Sequence, residues 1–237
     1  MDRLETALSA FFTPAAPAGL ARRVARGLRT RCVDLARVAD RLVISATDRG
    51  VSRVAYGRGA ADVTPAGRRH AGRAREELAQ YLAGRRTFFT VPVDLAGVGP
   101  FQGAVLAAAA RIPFGAVTSY AALARRVGHP RAARAVGNAL GANPAPILVP
   151  CHRVIRGDGT WGHYAFGGAL KTRLLALERD TPVLVGCAST RIVCRRGCVH
   201  ERRVAEGGRV VFASLADARS VGYRACGTCR AGATLPA

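Results

Sequence analysis

Two groups of residues in this chain have the types and spacing that chemistry needs. The first is Cys151-His152, inside the run PAPILVPCHRVIR at 144–156. A thiol becomes a strong, soft nucleophile only as thiolate, and neighbouring cations lower its pKa from about 8.5. His152 and Arg153 place such groups beside Cys151. The alternative is a small apolar cysteine packed in a core, and a bare Cys-His dipeptide leaves that alternative ahead. The second group is Cys194, Cys198, Cys226 and Cys229, a C-x3-C pair followed by a C-x2-C pair. Four thiols in two close pairs suit tetrahedral Zn2+; the other reading is unligated cysteines in a tail. There are seven cysteines, an odd number, and the leading MDRLETALSA has no apolar signal core. A disulfide framework is therefore not expected, and a reduced, cytoplasmic chain with a metal site and spare thiols is.

The elements that must position these groups can be read from breaks and periodicity. Residues 1–40 suggest helical pieces broken at Pro14, Pro17 and Gly19. Residues 41–57 predict a hairpin around Asp48-Arg49-Gly50, 72–84 an amphipathic helix closed by Gly84, and 87–93 a short edge strand containing Pro92. No chemistry is apparent in these first 95 residues. A helix follows at 100–112, ended by Pro113, and Ser119 or Thr118 can cap another that runs to about Val127. Gly128-His129-Pro130 breaks it, and a further helix starts at Pro130 or Arg131 and ends near Gly141. That pair reads as a helix-turn-helix, with Arg131 and Arg134 on one face; an ordinary helical hairpin in a core is the other reading. Pro144, Pro146 and Pro150 space a short buried strand, Ile147–Val149, from whose end Cys151 emerges. Beyond it, Arg209–Phe212 predicts a strand and Leu215–Val221 a short helix.

Composition narrows the class of partner. The chain has 237 residues, 49% of them hydrophobic and 22% charged, which is globular rather than disordered. No apolar run reaches the roughly 18 residues of a membrane span, so no membrane partner is expected. The formal net charge is +21, carried by 36 basic residues of which Lys171 is the single lysine. Such an excess points to a polyanion, most simply nucleic acid. A general compositional bias toward arginine and alanine is the competing explanation.

The run Pro150-Cys151-His152-Arg153-Val154, preceded by Arg134–Ala139 and Asn143-Pro144, resembles the O6-alkylguanine-DNA alkyltransferase family. Gly157-Asp158-Gly159, Tyr164, Gly167, Lys171 and Leu174–Glu178 also fit, and the likeness runs from about Phe101 to Glu178, more weakly back to Leu42. The resemblance implies a DNA repair protein that moves an alkyl group, methyl above all, from guanine O6 (and O4-methylthymine as a further substrate) irreversibly onto its own cysteine. Cys151 would be the acceptor, His152 the base reached through a water-bridged relay, and Glu178 the carboxylate that orients the histidine. Tyr120 would serve the departing guanine and Asn143 would brace the active-site turn. Arg134 would fill the space left by the flipped nucleotide, with Arg131, Ser119, Ala135, Gly137 and Arg153 also at the DNA. Val154, Tyr164, Ala165 and Phe166 would form the pocket. Many members have Tyr-x-Gly-Gly where this chain has Tyr164-Ala165-Phe166-Gly167; the bulky Phe166 is expected to narrow the pocket and favour methyl over benzyl-sized groups.

The cysteine-rich end resembles the zinc-binding domain of the bacterial adaptive-response protein Ada, in cysteine spacing and in Gly222-Tyr223-Arg224-Ala225-Cys226. From Cys187 onward there are nine arginines against three acidic residues, which suits DNA contact. The expected architecture is therefore α+β in three parts. A small ribonuclease H-like unit spans 1–95, a helical, helix-turn-helix-containing alkyltransferase domain 96–180, and a short four-cysteine zinc module 188–232. Zinc and no organic cofactor, double-stranded DNA bearing alkylated guanine as partner, a monomer, and a cytoplasmic place on the bacterial nucleoid complete the expectation. An Ada-like methylation-responsive regulator, or a phosphotriester methyl acceptor at Cys194, is the alternative. Cys194-Arg195-Arg196 departs from the Cys-Arg-Pro of that domain and puts the second transfer in doubt.

Overall fold

The computed structural model describes residues 33–181, 183–196, 198–205 and 208–231. The expected helical pieces before residue 33, and the last residue of the expected zinc module, lie outside them. The chain is α+β. A short helix α1 (Leu35–Asp40) is capped by the Asp34 carboxylate, which accepts from the Ala36 and Arg37 amides. Strands β1 (Leu42–Thr47) and β2 (Gly50–Tyr56) form the expected antiparallel hairpin, with a register irregularity between Ser45 and Ala46. Helix α2 (Arg68–Leu82) packs across it, starting one turn earlier than expected and closing at Gly84, whose φ of 71° favours glycine.

The strand expected at 87–93 does not form. Only Val93 bridges Val51, while the Val51 amide donates to the Pro92 carbonyl. A proline amide cannot donate to a ladder, so pairing stops there. The same segment is instead held by Glu77 of α2, whose carboxylate accepts from the Thr90 and Val91 amides.

Helices α3 (Pro100–Ala110), α4 (Tyr120–Arg126) and α5 (Ala133–Gly141) pack on one another. Ser119 caps α4 through its Oγ, which accepts from the Ala122 amide, as expected of it. Helix α5 begins at Ala133, later than expected, so Arg131 lies in the preceding turn and does not share a helical face with Arg134. Two-residue strands β3 (Thr118–Ser119) and β4 (Val154–Ile155) run parallel and tie the start of α4 to the segment after Cys151. Helix α6 (Gly168–Asp180) closes this part. One buried apolar cluster runs from Leu35 through Tyr81 and Leu123 to Leu174, so the hairpin, α2 and the later helices share a core.

The remainder is a four-stranded sheet in the order β7-β5-β6-β8: β5 (Leu184–Cys187), β6 (Ile192–Arg195), β7 (Arg209–Phe212) and β8 (Arg224–Ala225). Helix α7 (Leu215–Ser220) lies against β7 and β8. Its own core is thin: Val193, Phe212, Ala218, Tyr223 and Ala231. Gly186 is required in β5, because a Cβ there would stand 2.7 Å from Tyr223 and 2.8 Å from Phe212. The sheet meets the rest of the protein where Thr87 Oγ1 donates to the Val211 carbonyl at 2.7 Å and the Phe88 and Phe212 rings meet edge to face.

Candidate active site

The turn that carries Cys151 is not the strand the apolar triplet suggested. Pro146 bridges Val149 across a tight bend, and Ile147 takes φ of 75°. That region is costly for a β-branched residue, and full burial of Ile147 holds it there. Cys151, His152 and Arg153 then form a single 3-10 turn, in which the Arg153 amide donates to the Pro150 carbonyl.

Cys151 is 4% exposed. Asn143, just after α5, braces both sides of the bend. Its amide nitrogen donates to the Val149 carbonyl at 2.9 Å and to Cys151 Sγ at 3.1 Å, while its Oδ1 accepts from the Ala145 amide. The thiol was expected to be acidified, and in this resting site it is not: burial pushes it up, against the Asn143 hydrogen bond and the Lys171 charge, which pull it down. A desolvated thiol stays protonated until something takes its proton.

His152 is fully buried and turned to Glu178, with Nε2 2.9 Å from Oε1. Among the described residues nothing hydrogen-bonds to its Nδ1. Glu178, in the last turn of α6, is no solvated helix-end acid: it is 1% exposed. Arg153 donates to it through Nε, 3.0 Å from each oxygen, and through Nη2, 2.7 Å from Oε1. The Gly115 amide donates to Oε2 and the Tyr81 hydroxyl to Oε1 at 2.6 Å. Although burial opposes ionisation, the Arg153 guanidinium, the His152 ring and these donors hold the carboxyl well below the usual carboxylate range. Desolvation lowers the pKa of His152, with Glu178 opposing, so the imidazole is neutral near pH 7.

Arg153 is thereby removed from the expected set of DNA contacts. It is buried, and each of its three nitrogens is already turned inward, Nη1 donating to the Ile112 carbonyl at 2.6 Å. Ser119 is likewise buried and occupied as a helix cap. Of the others expected there, Arg131, Arg134 and Ala135 are exposed, while Gly137 faces the Tyr120 ring. The buried side of α5 is Val136, Ala139 and Leu140, so its outer face is narrow and carries few bulky side chains.

Tyr120 stands at the start of α4, between Gly137 and Gly162; a Cβ on Gly162 would come 2.6 Å from its hydroxyl. Lys171 of α6 is fully buried, donates to the Val154 carbonyl at 2.6 Å and to the Trp161 carbonyl, and lies 5.9 Å from the Tyr120 ring centre. Burial brings its pKa down to about 8, against the pull of Cys151. Val154 and Tyr164 are buried, Ala165 is exposed, and Phe166 is wedged between Tyr164 and Tyr56 at 5.8 Å ring separation from each. Tyr81 was missed by sequence reasoning. A lone tyrosine on an amphipathic helix gives no signal beyond core packing, and its partner Glu178 is 97 residues away.

The four cysteines of the second group come together as their spacing suggested: their sulfurs all lie within 4.8 Å of one another. The Cys226 thiol is pulled down to about 6, chiefly by the Cys229 and Thr228 amides, whereas burial and its neighbours push Cys194 up. A tetrahedral set of four thiolates at Zn–S distances of about 2.3 Å needs four sulfurs this close to one another, so the residues present fit zinc.

Residues 100–180 match the family model described as the 6-O-methylguanine DNA methyltransferase DNA-binding domain. Among relatives, the inducible methylated-DNA–protein-cysteine methyltransferase of Bacillus subtilis strain 168 is 50% identical over 103 residues, 44% of this chain and 57% of that protein. The bifunctional transcriptional activator/DNA repair enzyme Ada of Escherichia coli K12 is 43% identical over 121 residues, 51% of this chain and 34% of that protein. The chain thus spans little more than half the length of the first of these curated relatives and a third of the second. A solved structure of Mycobacterium tuberculosis OGT in complex with DNA is 36% identical with a TM-score of 0.53, covering 59% of this chain and 86% of that one. The structure of the M. tuberculosis O6-methylguanine methyltransferase is 32% identical with a TM-score of 0.50 and is covered to 93%. Motif, geometry and these likenesses converge: the chain belongs to the methylated-DNA–protein-cysteine methyltransferase family.

Proposed function

We propose that this protein repairs alkylated DNA by transferring a methyl group from guanine O6, and from thymine O4, irreversibly to Cys151, each molecule acting once. The observation that carries this reading is a buried thiol tethered by Asn143 beside a histidine whose far nitrogen is bound to an ionised, saturated carboxylate. His152 takes the thiol proton at Nδ1, through a bridging water, and Glu178 stabilises the imidazolium that results. The sulfur attacks the alkyl carbon in line; the S–C bond forms as the C–O bond breaks, and the electron pair leaves on guanine. Tyr120, with Lys171 behind its ring, supplies the hydrogen bond that lets guanine depart.

The partner is double-stranded DNA, whose damaged base must leave the stack to reach a buried thiol. The exposed Arg134 on α5 is placed to occupy the gap, with Ala135 and Arg131 beside it at the groove. Val154, Tyr164, Ala165 and Phe166 line the pocket. Three functional parts are proposed: a ribonuclease H-like unit over 1–95, the transfer domain over 96–180, and the module over 188–232. In the last, Cys194, Cys198, Cys226 and Cys229 hold zinc, which supplies structure to a segment with little core. The protein acts as a monomer on the nucleoid. Among the described residues no helix is long and apolar enough to cross a membrane.

Incubating the protein with O6-methylguanine DNA and measuring intact mass with peptide mapping tests the reading. A gain of about 14 mass units at Cys151, abolished in Cys151→Ala with DNA binding retained, is expected. No gain overturns it, and a gain confined to Cys194 moves the acceptor of the guanine methyl from Cys151 to that cluster.

A further inference from the structure

We infer that Tyr81 is a positioning residue of the transfer reaction: its hydroxyl, held between Glu178 and His152, keeps the imidazole proton on Nε2 and so leaves Nδ1 as the base for Cys151. The inference rests on the reading just given, and it draws the N-terminal unit into the active site.

Tyr81 lies in the last turn of α2 and is 0% exposed. A buried tyrosine needs one partner for its hydroxyl; this one has two, and they are the two residues of the relay. It donates to Glu178 Oε1 at 2.6 Å, and its oxygen is 3.2 Å from His152 Nε2. With the hydroxyl proton committed to the carboxylate, the oxygen can only accept from Nε2. Both atoms nearest Nε2, the phenol oxygen and Oε1, are therefore acceptors. A proton on Nε2 bonds to them, whereas a lone pair there would face two others. The proton stays on Nε2, and Nδ1, with no hydrogen-bond partner among the described residues, keeps the free lone pair.

The tyrosine is held rigidly enough to exert this preference. Its ring packs against Phe89 at 5.2 Å and edge-on to Phe114 at 6.0 Å. One turn earlier, Glu77 anchors α2 through the Thr90 and Val91 amides. Burial and the Glu178 charge push the phenol well above its ordinary pKa, so it remains a donor throughout the working range. The charged and titratable groups around His152 are Cys151 in its own turn, Glu178, Arg153, Lys171, Tyr81 and Tyr164. Of these, only Tyr81 touches both the histidine and its carboxylate without carrying charge.

Tyr81→Phe keeps the ring and removes the hydroxyl. The full-length variant and the parent are compared in two measurements: single-turnover methyl transfer from O6-methylguanine DNA across pH, and 15N shifts of the His152 ring. Transfer is expected to slow by about tenfold, the scale of one hydrogen bond to a charged group. The ascending limb of the pH profile is expected to move to higher pH, because Glu178, relieved of a donor, binds the imidazolium more tightly. The nitrogen shifts are expected to change from Nε2-protonated to a mixture of tautomers. Val38→Ala, which removes core packing between α1 and α2 without touching the Tyr81 ring or its hydrogen bonds, is expected to lower the melting temperature while leaving limb and tautomer in place. An unchanged limb and tautomer in Tyr81→Phe, or the same changes in Val38→Ala, overturns the inference. If the parent itself takes no methyl, the failure belongs to the proposed function, and the nitrogen shifts alone still decide whether Tyr81 sets the tautomer.

Discussion

Cys151 and the Cys194 cluster are both buried sulfur, yet the protein supports them differently. Beneath Cys151 most polar groups are held by protein: Asn143 holds the thiol, and Glu178 is enclosed by Arg153, Tyr81, His152 and a backbone amide, while His152 Nδ1 and the Tyr164 hydroxyl have no partner among the described residues. An apolar cluster drawn from nearly every element between α1 and α6 surrounds them. The four clustered cysteines have a five-residue core and one another. A site that must expel water and hold a proton in place is built from an over-determined core. A site that must only hold its own chain together can delegate that to an ion.

Withdrawing the ion should separate the two most sharply. Dialysis against a strong chelator is expected to release one zinc per chain and open residues 184–231 to protease, since apparent zinc affinities of such sites are about 10–16 kcal/mol. Methyl uptake at Cys151 should survive. Its parallel loss would show that the module, through Thr87–Val211 and Phe88–Phe212, is part of the transfer machinery.

The relay should break next. Glu178→Gln leaves Arg153 buried without its counter-charge, which costs about 3–5 kcal/mol of stability, measured by denaturant unfolding, and it should abolish rapid transfer. Acid should do the same gradually. Glu178 ionises lower in the folded state than unfolded, and so does His152, so the unfolded chain binds more protons as pH falls. Stability is present above pH 6.5, begins to decline as His152's unfolded value is crossed, and falls further below 4.5 as Glu178's is crossed. In Glu178→Gln the lower step should shrink in a melting-temperature series to the share left by Glu77, whose carboxyl is also held below its ordinary value; an undiminished step would place the main acid-labile group elsewhere.

The smallest effect is expected at the pocket wall. Phe166→Ala should raise inactivation by O6-benzylguanine by about tenfold, the scale of removing one ring's steric obstruction, and leave methyl transfer nearly unchanged. Equal benzyl and methyl rates already in the parent would end the size argument.

Much of this is legible in the sequence. Ser119 as a cap, the hairpin and the four-cysteine cluster each rest on local chemistry that the residues spell out, whereas Cys151 as acceptor and Glu178 as its carboxylate came with the family resemblance. The errors have a common cause. Ile147–Val149 looked like a strand because its residues prefer one, but prolines on both sides and the buried contacts of Ile147 impose a bend. Arg153 was set among the DNA contacts by the resemblance; only the fold shows it reaching Ile112 and Glu178. Tyr81 was invisible for the same reason, since long-range hydrogen bonds leave no local trace.

Gly162 sits in the loop between β4 and α6 with φ of 67°, and its missing side chain is the space that the Tyr120 hydroxyl occupies. The vacancy makes a loop position an aiming device. Any larger residue there strains the backbone and shoves the phenol off line, so tolerance to substitution at Gly162 becomes a gauge of how accurately that hydroxyl must be aimed.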